Sequence, residues 1–268
     1  MGKTKKRLEK VYLAARRRYD RVLGWYEWHD HFSQRNNFIF VLGHMRCGSS
    51  LLTHILCSHP EVCGYGETHC HYKNICDYYA SARRIWDVAG GRRHSVRHFV
   101  DKILHAYHIP NLRVLDWDCI RIIVIVRRPD HALSSMLKLG LFSEKVDLAA
   151  SYYARQLRWL NDVCSELGDD KGKLISLTYS DLVENSNIIL RRLADFLSLS
   201  SPIYESYQVN KMTGVPGVGD PGPLIKSGKI ISDVSRNIDG RVLCVQDRLW
   251  SLYHEMVKSW RKNKIYVV

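Results

Sequence analysis

No CxxC pair occurs among the eight cysteines, and no Asn-x-Ser/Thr sequon appears in the 268 residues. A disulfide framework and a glycosylated surface therefore have no support, and a reducing cytoplasm is the expected compartment, with a trimmed lumenal domain as the alternative. Also missing are any run near the ~18 apolar residues of a membrane span and the continuous apolar h-region of a signal peptide, so the expectation is a soluble chain. Cys57, Cys63, Cys70 and Cys76 lie near His69 and His71, but their spacings fit no standard zinc pattern. They read as buried or incidental thiols, and no metal is expected. The chain also lacks internal repeats and low-complexity segments.

Acid is scarce. Against 40 Lys+Arg stand 27 Asp+Glu, leaving +13, which favours an anionic partner without choosing among nucleotide, nucleic acid, sulfated sugar and membrane surface. Residues 1–24 hold nine Lys/Arg and two acids, +7 of that total. Leu8, Tyr12, Ala15, Tyr19, Val22 and Tyr26 recur there at intervals of three and four, the pattern of a basic amphipathic helix. We assign residues 1–36 to a helical extension, expected to dock on the domain with its charged face solvated, with peripheral membrane contact as the alternative. Residues 37–268 are long enough for one domain with a sizeable core.

Short branched runs at 38–42 (FIFVL), 122–126 (IIVIV) and 174–177 (LISL) predict buried parallel strands, with a weaker candidate at 96–100. Helical patterns alternate with them over 50–58, 130–139, 147–167 and 187–197. The alternation predicts an α/β fold with a doubly wound, mainly parallel sheet flanked by helices. Ile238, Val242, Val245, Leu249, Leu252, Met256 and Trp260 form one stripe on a predicted long tail helix, and the Gly/Pro-rich residues 213–223 before it predict a loop.

The stretch GHMRCGSS (43–50) follows the first strand and opens a helix, so its amides face an anion site. Gly48 lets the backbone approach a ligand, Ser49 and Ser50 offer hydroxyls, and Arg46 can fork onto two phosphate oxygens. A tight serine-capped turn is the bland alternative. Ser49 stands where a Walker A motif needs lysine, and the strand RIIVIVRRPD ends in Arg127 and Arg128 rather than in a magnesium-holding acid. Both departures disfavour a nucleotide-dependent kinase. A basic module binding nucleic acid or anionic glycans through residues 1–24 is the non-enzymatic rival.

RCGSSLLTHILCSHPEVCGYGE (46–67) resembles the 5′-phosphosulfate motif of sulfotransferases, in the arginine version of the carbohydrate and tyrosylprotein members. VIVRRPDHALSSM resembles the same family's 3′-phosphate motif, with Arg127, Pro129 and Ser135 at its spacing. FVDK, and LTYSDLVENSNIILRRLADFLSL with Ser180 replacing the usual Glu, extend the resemblance over residues 38–200. It implies a P-loop-like fold and the donor 3′-phosphoadenosine 5′-phosphosulfate (PAPS). Arg46, Cys47, Gly48, Ser49 and Ser50 then hold the 5′ end, Arg127 and Ser135 the 3′-phosphate, and Tyr179 lies beside the adenine. Lys226 and Ser227 close over the 3′-phosphate in a late loop that lacks the family's RKG signature.

The same resemblance implies that Arg46 and Lys102 stabilise the transferred and departing groups. Glu67, twenty-one residues after Arg46, is the implied base, with His69 or His71 as alternatives. A carbohydrate or glycolipid hydroxyl is the first expected acceptor and a phenol or tyrosine the second. Fixed cations replace magnesium in this scheme, because the transferred group carries less charge than a phosphoryl group.

Overall fold

The computed structural model describes residues 2–33, 37–90, 95–167, 172–210, 212–215, 222–231, 237–263 and 265–267. Five strands, β1 (Asn37–Gly43), β2 (Val62–Gly64), β3 (His98–Ile103), β4 (Ile120–Val126) and β5 (Leu174–Thr178), form one wholly parallel sheet in the order β2-β3-β1-β4-β5. The helices are α1 (Gly2–Ser33), α2 (Ser49–Cys57), α3 (Ile75–Ala89), α4 (Pro129–Lys138), α5 (Val146–Leu167), α6 (Tyr179–Glu184), α7 (Ser186–Leu197) and α8 (Gln246–Lys262).

Every residue of β1 is buried, so successive side chains feed two cores. Phe38, Phe40 and Leu42 join Tyr72, Tyr78, Leu133, Tyr153 and Trp260 on one face. Ile39 and Val41 join Leu52, Ile55, Ile123, Leu190 and Leu193 on the other. Helices thus cover both faces, as a doubly wound sheet requires. β3 lies on one side of β1 and β4 on the other. The crevice beyond the carboxyl ends of these three strands is where such folds take ligands.

The four mid-chain helices and the strands at 38–42, 122–126 and 174–177 appear where the sequence places them. The weak strand candidate is β3, displaced to His98–Ile103. The tail helix differs: Gly240–Cys244 is a separate 3-10 turn, and α8 begins only at Gln246. Asp239 explains the break, because its side chain accepts from the Arg241 amide and caps the earlier turn. Ile238 consequently sits outside the helix and exposed. Of the expected 213–223 loop, residues 216–221 lie outside the described residues, and Pro223–Ser227 form a 3-10 turn.

α1 docks, but its apolar stripe is not what it buries. Gly24 meets the α3 backbone and Trp28 enters the core against Trp86 and Phe99. Arg21 donates to Asp77 (Nε to Oδ1 2.9 Å), and Arg83 Nη1 donates to Glu27 Oε1 at 2.8 Å. These residues share one helix face, and the stripe Tyr12, Tyr19, Val22 and Tyr26 lies exposed on another. Ion pairs and one close backbone approach decide the docked face, and neither follows from apolar spacing.

A Cβ on Gly24 would lie 2.4 Å from the Tyr79 carbonyl oxygen and 2.6 Å from its carbon, backbone atoms that cannot swing aside. Gly24→Ala is expected to cost about 1–3 kcal/mol through this overpacking. Urea denaturation should show a lower midpoint, and proteolysis within α1 should be faster.

Candidate functional site

β1 leads into His44-Met45-Arg46-Cys47-Gly48 before α2, and this loop is tied down from three directions. Gln156 Nε2 on α5 donates to the Gly43 carbonyl at 3.0 Å. The Tyr152 hydroxyl accepts from the Met45 amide (3.0 Å) and donates to the Leu104 carbonyl beyond β3 (2.7 Å). Buried His44 bonds the Met45 carbonyl through Nδ1 (2.9 Å) and accepts the Arg127 amide at Nε2 (3.1 Å). Those partners require the neutral tautomer with its proton on Nδ1. Burial accordingly lowers the His44 pKa to about 4.

Gly48 takes φ 100°, and a Cβ there would lie 2.2 Å from the Tyr179 ring, so glycine is required on both counts. Arg46 is also left-handed, at φ 64°. Among the described residues no side chain caps the start of α2, and its first turn carries no acid. The dipole end and amides of the helix therefore remain suited to an anion. Cys47 is buried with its sulfur against Gly43, and burial pushes its thiol pKa up. It contributes packing and backbone rather than a thiolate.

Two basic centres flank the loop. Lys102 is paired in register with Val41 and leaves the sheet on the α2 side. Its Nζ lies 3.1 Å from Ser50 Oγ and 3.2 Å from Glu67 Oε1, with both charged side chains largely buried. Adjacent Asp101 points to the opposite face, as strand alternation dictates. There Asp101 accepts from the Thr68 amide (2.9 Å), the Thr68 hydroxyl (2.6 Å) and the Tyr72 hydroxyl (2.6 Å). The Lys102 amide donates to the Gly66 carbonyl at 3.1 Å. Glu67 is thus held by bonds on either side of it in sequence as well as by its own ion pair.

The second centre is Arg127 at the end of β4. Its guanidinium lies 4.5 Å from the Tyr179 ring centroid, and Nη1 donates to the Arg46 carbonyl at 3.3 Å. Its Nε is buried and has no hydrogen-bond partner among the described residues. Arg46 Nε donates to Ser135 Oγ on α4 at 2.9 Å. The loop arginine and the serine of the second motif, assigned by resemblance to opposite ends of one donor, are therefore directly bonded. Arg128 turns away, bonding both oxygens of Asp130 (2.8 and 2.7 Å) and stacking on Trp250.

The remaining predicted residues fall outside these centres. His69 is exposed, with its ring 5.8 Å from His108. His71, also exposed, bonds the Tyr107 carbonyl at 3.1 Å. Lys226 and Ser227 are exposed in the 3-10 turn, the serine hydroxyl donating to the Lys229 carbonyl at 3.0 Å. Among the described residues, no hydrogen bond or ion pair joins this turn to Arg46, Arg127, Ser135 or Tyr179.

Sequence reasoning missed Asp101, His105, Tyr152 and Gln156. Asp101 had a local signal, as a charged pair with Lys102 inside a strand run. His105 follows Lys102 by three residues, is half-buried, and has a pKa lowered by burial against the opposing charge of Glu67. Tyr152 and Gln156 had none, because their partners lie 48 to 113 residues away.

Residues 70–202 match the model of the Sulfotransferase family. That segment contains Lys102, Arg127, Ser135 and Tyr179 and begins just after Glu67. A solved structure, sulfotransferase STF1 from Mycobacterium tuberculosis H37Rv, is similar with a TM-score of 0.47 and 12% identity, covering 68% of this chain and 73% of that one. No curated protein matches the chain.

The buried groups set an acid limit. His44 and His108 each have a folded pKa near 4 against an ordinary 6.5, so the unfolded chain binds more protons between those values. Their stabilisation is present above about pH 6.5 and lost as pH falls toward about 4. Asp101, raised by burial to about 6, acts in the opposite sense, since it takes its proton earlier in the folded state. Two imidazoles outweigh one carboxylate, so urea midpoints should fall across this range. Asp101→Asn should make the fall steeper by removing the opposing group.

Proposed function

We infer that the crevice beyond β1, β3 and β4 of this chain, whose residues 70–202 match the Sulfotransferase family model, moves a sulfuryl group from PAPS to an acceptor hydroxyl. Sulfuryl transfer itself follows from the family. The donor and the acceptor class are our reading. One observation carries it: loop residues 46–50 touch both basic centres, with Arg46 bonded to Arg127 and Ser135 and Ser50 bonded to Lys102. A single ligand bearing two separated anionic groups matches that arrangement.

The residues present fit such a ligand. An uncapped helix end without acid, a buried arginine with an unpartnered Nε and a buried lysine all favour anions. In this reading the α2 amides, Ser49, Ser50 and Lys102 hold the 5′-phosphosulfate. Arg127 and Ser135 hold the 3′-phosphate, and Tyr179, already stacked on Arg127, borders the adenine. The donor, when bound, supplies an activated sulfuryl group on a phosphate leaving oxygen.

The chain's own work is then positional and electrostatic. Glu67 accepts the acceptor hydroxyl's proton as its oxygen becomes nucleophilic. Lys102, placed between Glu67 and Ser50, and Arg46, oriented by Ser135, face negative charge appearing on the leaving oxygen. Fixed before the reaction begins, these cations do what magnesium does in phosphoryl transfer, so we propose metal-independent turnover. A carbohydrate or glycolipid hydroxyl is the proposed acceptor, ahead of a phenol or tyrosine.

Thermal stabilisation by adenosine 3′,5′-bisphosphate, exceeding that by ATP with magnesium, tests the donor; the reverse preference overturns it. Labelled PAPS with a panel of sugars, lipids, phenols and peptides identifies the acceptor. Glu67→Gln is expected to keep bisphosphate binding while turnover drops about 10²–10⁴-fold. Unchanged turnover would transfer the base role to a nearby imidazole.

A further inference from the structure

α1 turns one face to the protein and leaves most of the other exposed, where Arg83 of α3 reaches only the Tyr19 ring, 5.9 Å from its centroid. Gly24 and Trp28 are buried against α3, whereas Val11, Tyr12, Tyr19, Val22 and Tyr26 are between 60% and 81% exposed and Trp25 is 49% exposed. At about 100° per residue, these six side chains fall within an arc of roughly 140° opposite Gly24 and Trp28. Scattered apolar residues on a surface are ordinary; six aligned on one helix face are not. Arg18 is exposed just inside one edge of the arc, between Trp25 and Val11, and Arg16 is exposed about 40° beyond the other.

We propose that this face of α1 is a membrane-contact surface that lays the helix flat on an anionic lipid bilayer. Val11, Val22 and Trp25 enter the boundary between headgroups and acyl chains, the tyrosines sit at headgroup level, and Arg16 and Arg18 meet lipid phosphates. Charge selects the occupant. Residues 1–24 carry nine Lys/Arg against two acids, which complements an anionic leaflet and repels the same face of a second copy. A nucleic acid would satisfy the arginines but has no use for six exposed apolar side chains on one helix face. Among the described residues no helix is long and apolar enough to cross a membrane, so the contact is peripheral. The proposal stands apart from the donor assignment, because α1 lies outside the crevice and outside residues 70–202.

The test is sedimentation of the full chain with phosphatidylcholine vesicles, with and without phosphatidylserine. Binding that requires phosphatidylserine and weakens with salt is expected. The combined variant Val22→Ser, Trp25→Ser, Tyr26→Ser should bind about tenfold or more weakly, with an unchanged urea midpoint because all three positions face solvent. Arg16→Glu with Arg18→Glu should abolish the preference for phosphatidylserine and decides the matter alone if the first variant fails to fold. The proposal is overturned by equal binding to both vesicle types, or by binding indifferent to the apolar substitutions. It is also overturned by vesicle-independent self-association or duplex-oligonucleotide binding that those substitutions abolish.

Discussion

A buried ammonium must find partners, and Lys102, only 5% exposed, takes them from two other segments, Ser50 in the first turn of α2 and Glu67 of the turn after β2. That requirement brings together an anion-suited helix end and a carboxylate that lie seventeen residues apart in the chain. Removing either partner would leave charge in a low-dielectric pocket, so the geometry of the crevice and the satisfaction of Lys102 are one condition. The surrounding bonds from Asp101 and Tyr152 repeat the logic, each joining the end of β3 to a segment that shapes the site.

The phosphate loop owes its shape to crowding as much as to attraction. Tyr179 occupies the space over Gly48 and accepts the Arg127 guanidinium against its ring, while Arg127 reaches back to the Arg46 carbonyl. The first residues of α2 and α6 and the end of β4 therefore meet at one point. A switch in strand order brings such elements together, and here the residues at the meeting point are the ones that can hold anions.

Much of this was legible in the chain. β1 and β4 are continuous branched runs, and α2, α4, α5 and α7 follow apolar spacing closely enough to be placed within a residue or two. The glycine-rich turn and both arginines were readable because a short-range motif carries them. β2 escaped notice because three residues make no pattern. α3 escaped although Asn74 and Asp77 form a capping box at its start, since its polar and aromatic residues obscure the apolar spacing. The docked face of α1 was misjudged because Gly24 and the Arg21–Asp77 and Glu27–Arg83 pairs, not the apolar stripe, decide it. The Arg46–Ser135 bond spans 89 residues, and only the folded sheet brings its ends together.

Asp101 and Lys102 are neighbours in β3 whose side chains leave opposite faces of the sheet. A slip of β3 by one position would exchange them, setting a carboxylate toward the helix end that awaits an anion and an ammonium among Tyr72, Phe40 and their aromatic neighbours. Both outcomes are strongly unfavourable, so this charged dipeptide guards against mispairing of a strand whose Phe99, Val100 and Ile103 are apolar on both sides. The residues that equip the crevice for its chemistry also keep the chain from folding into the wrong sheet.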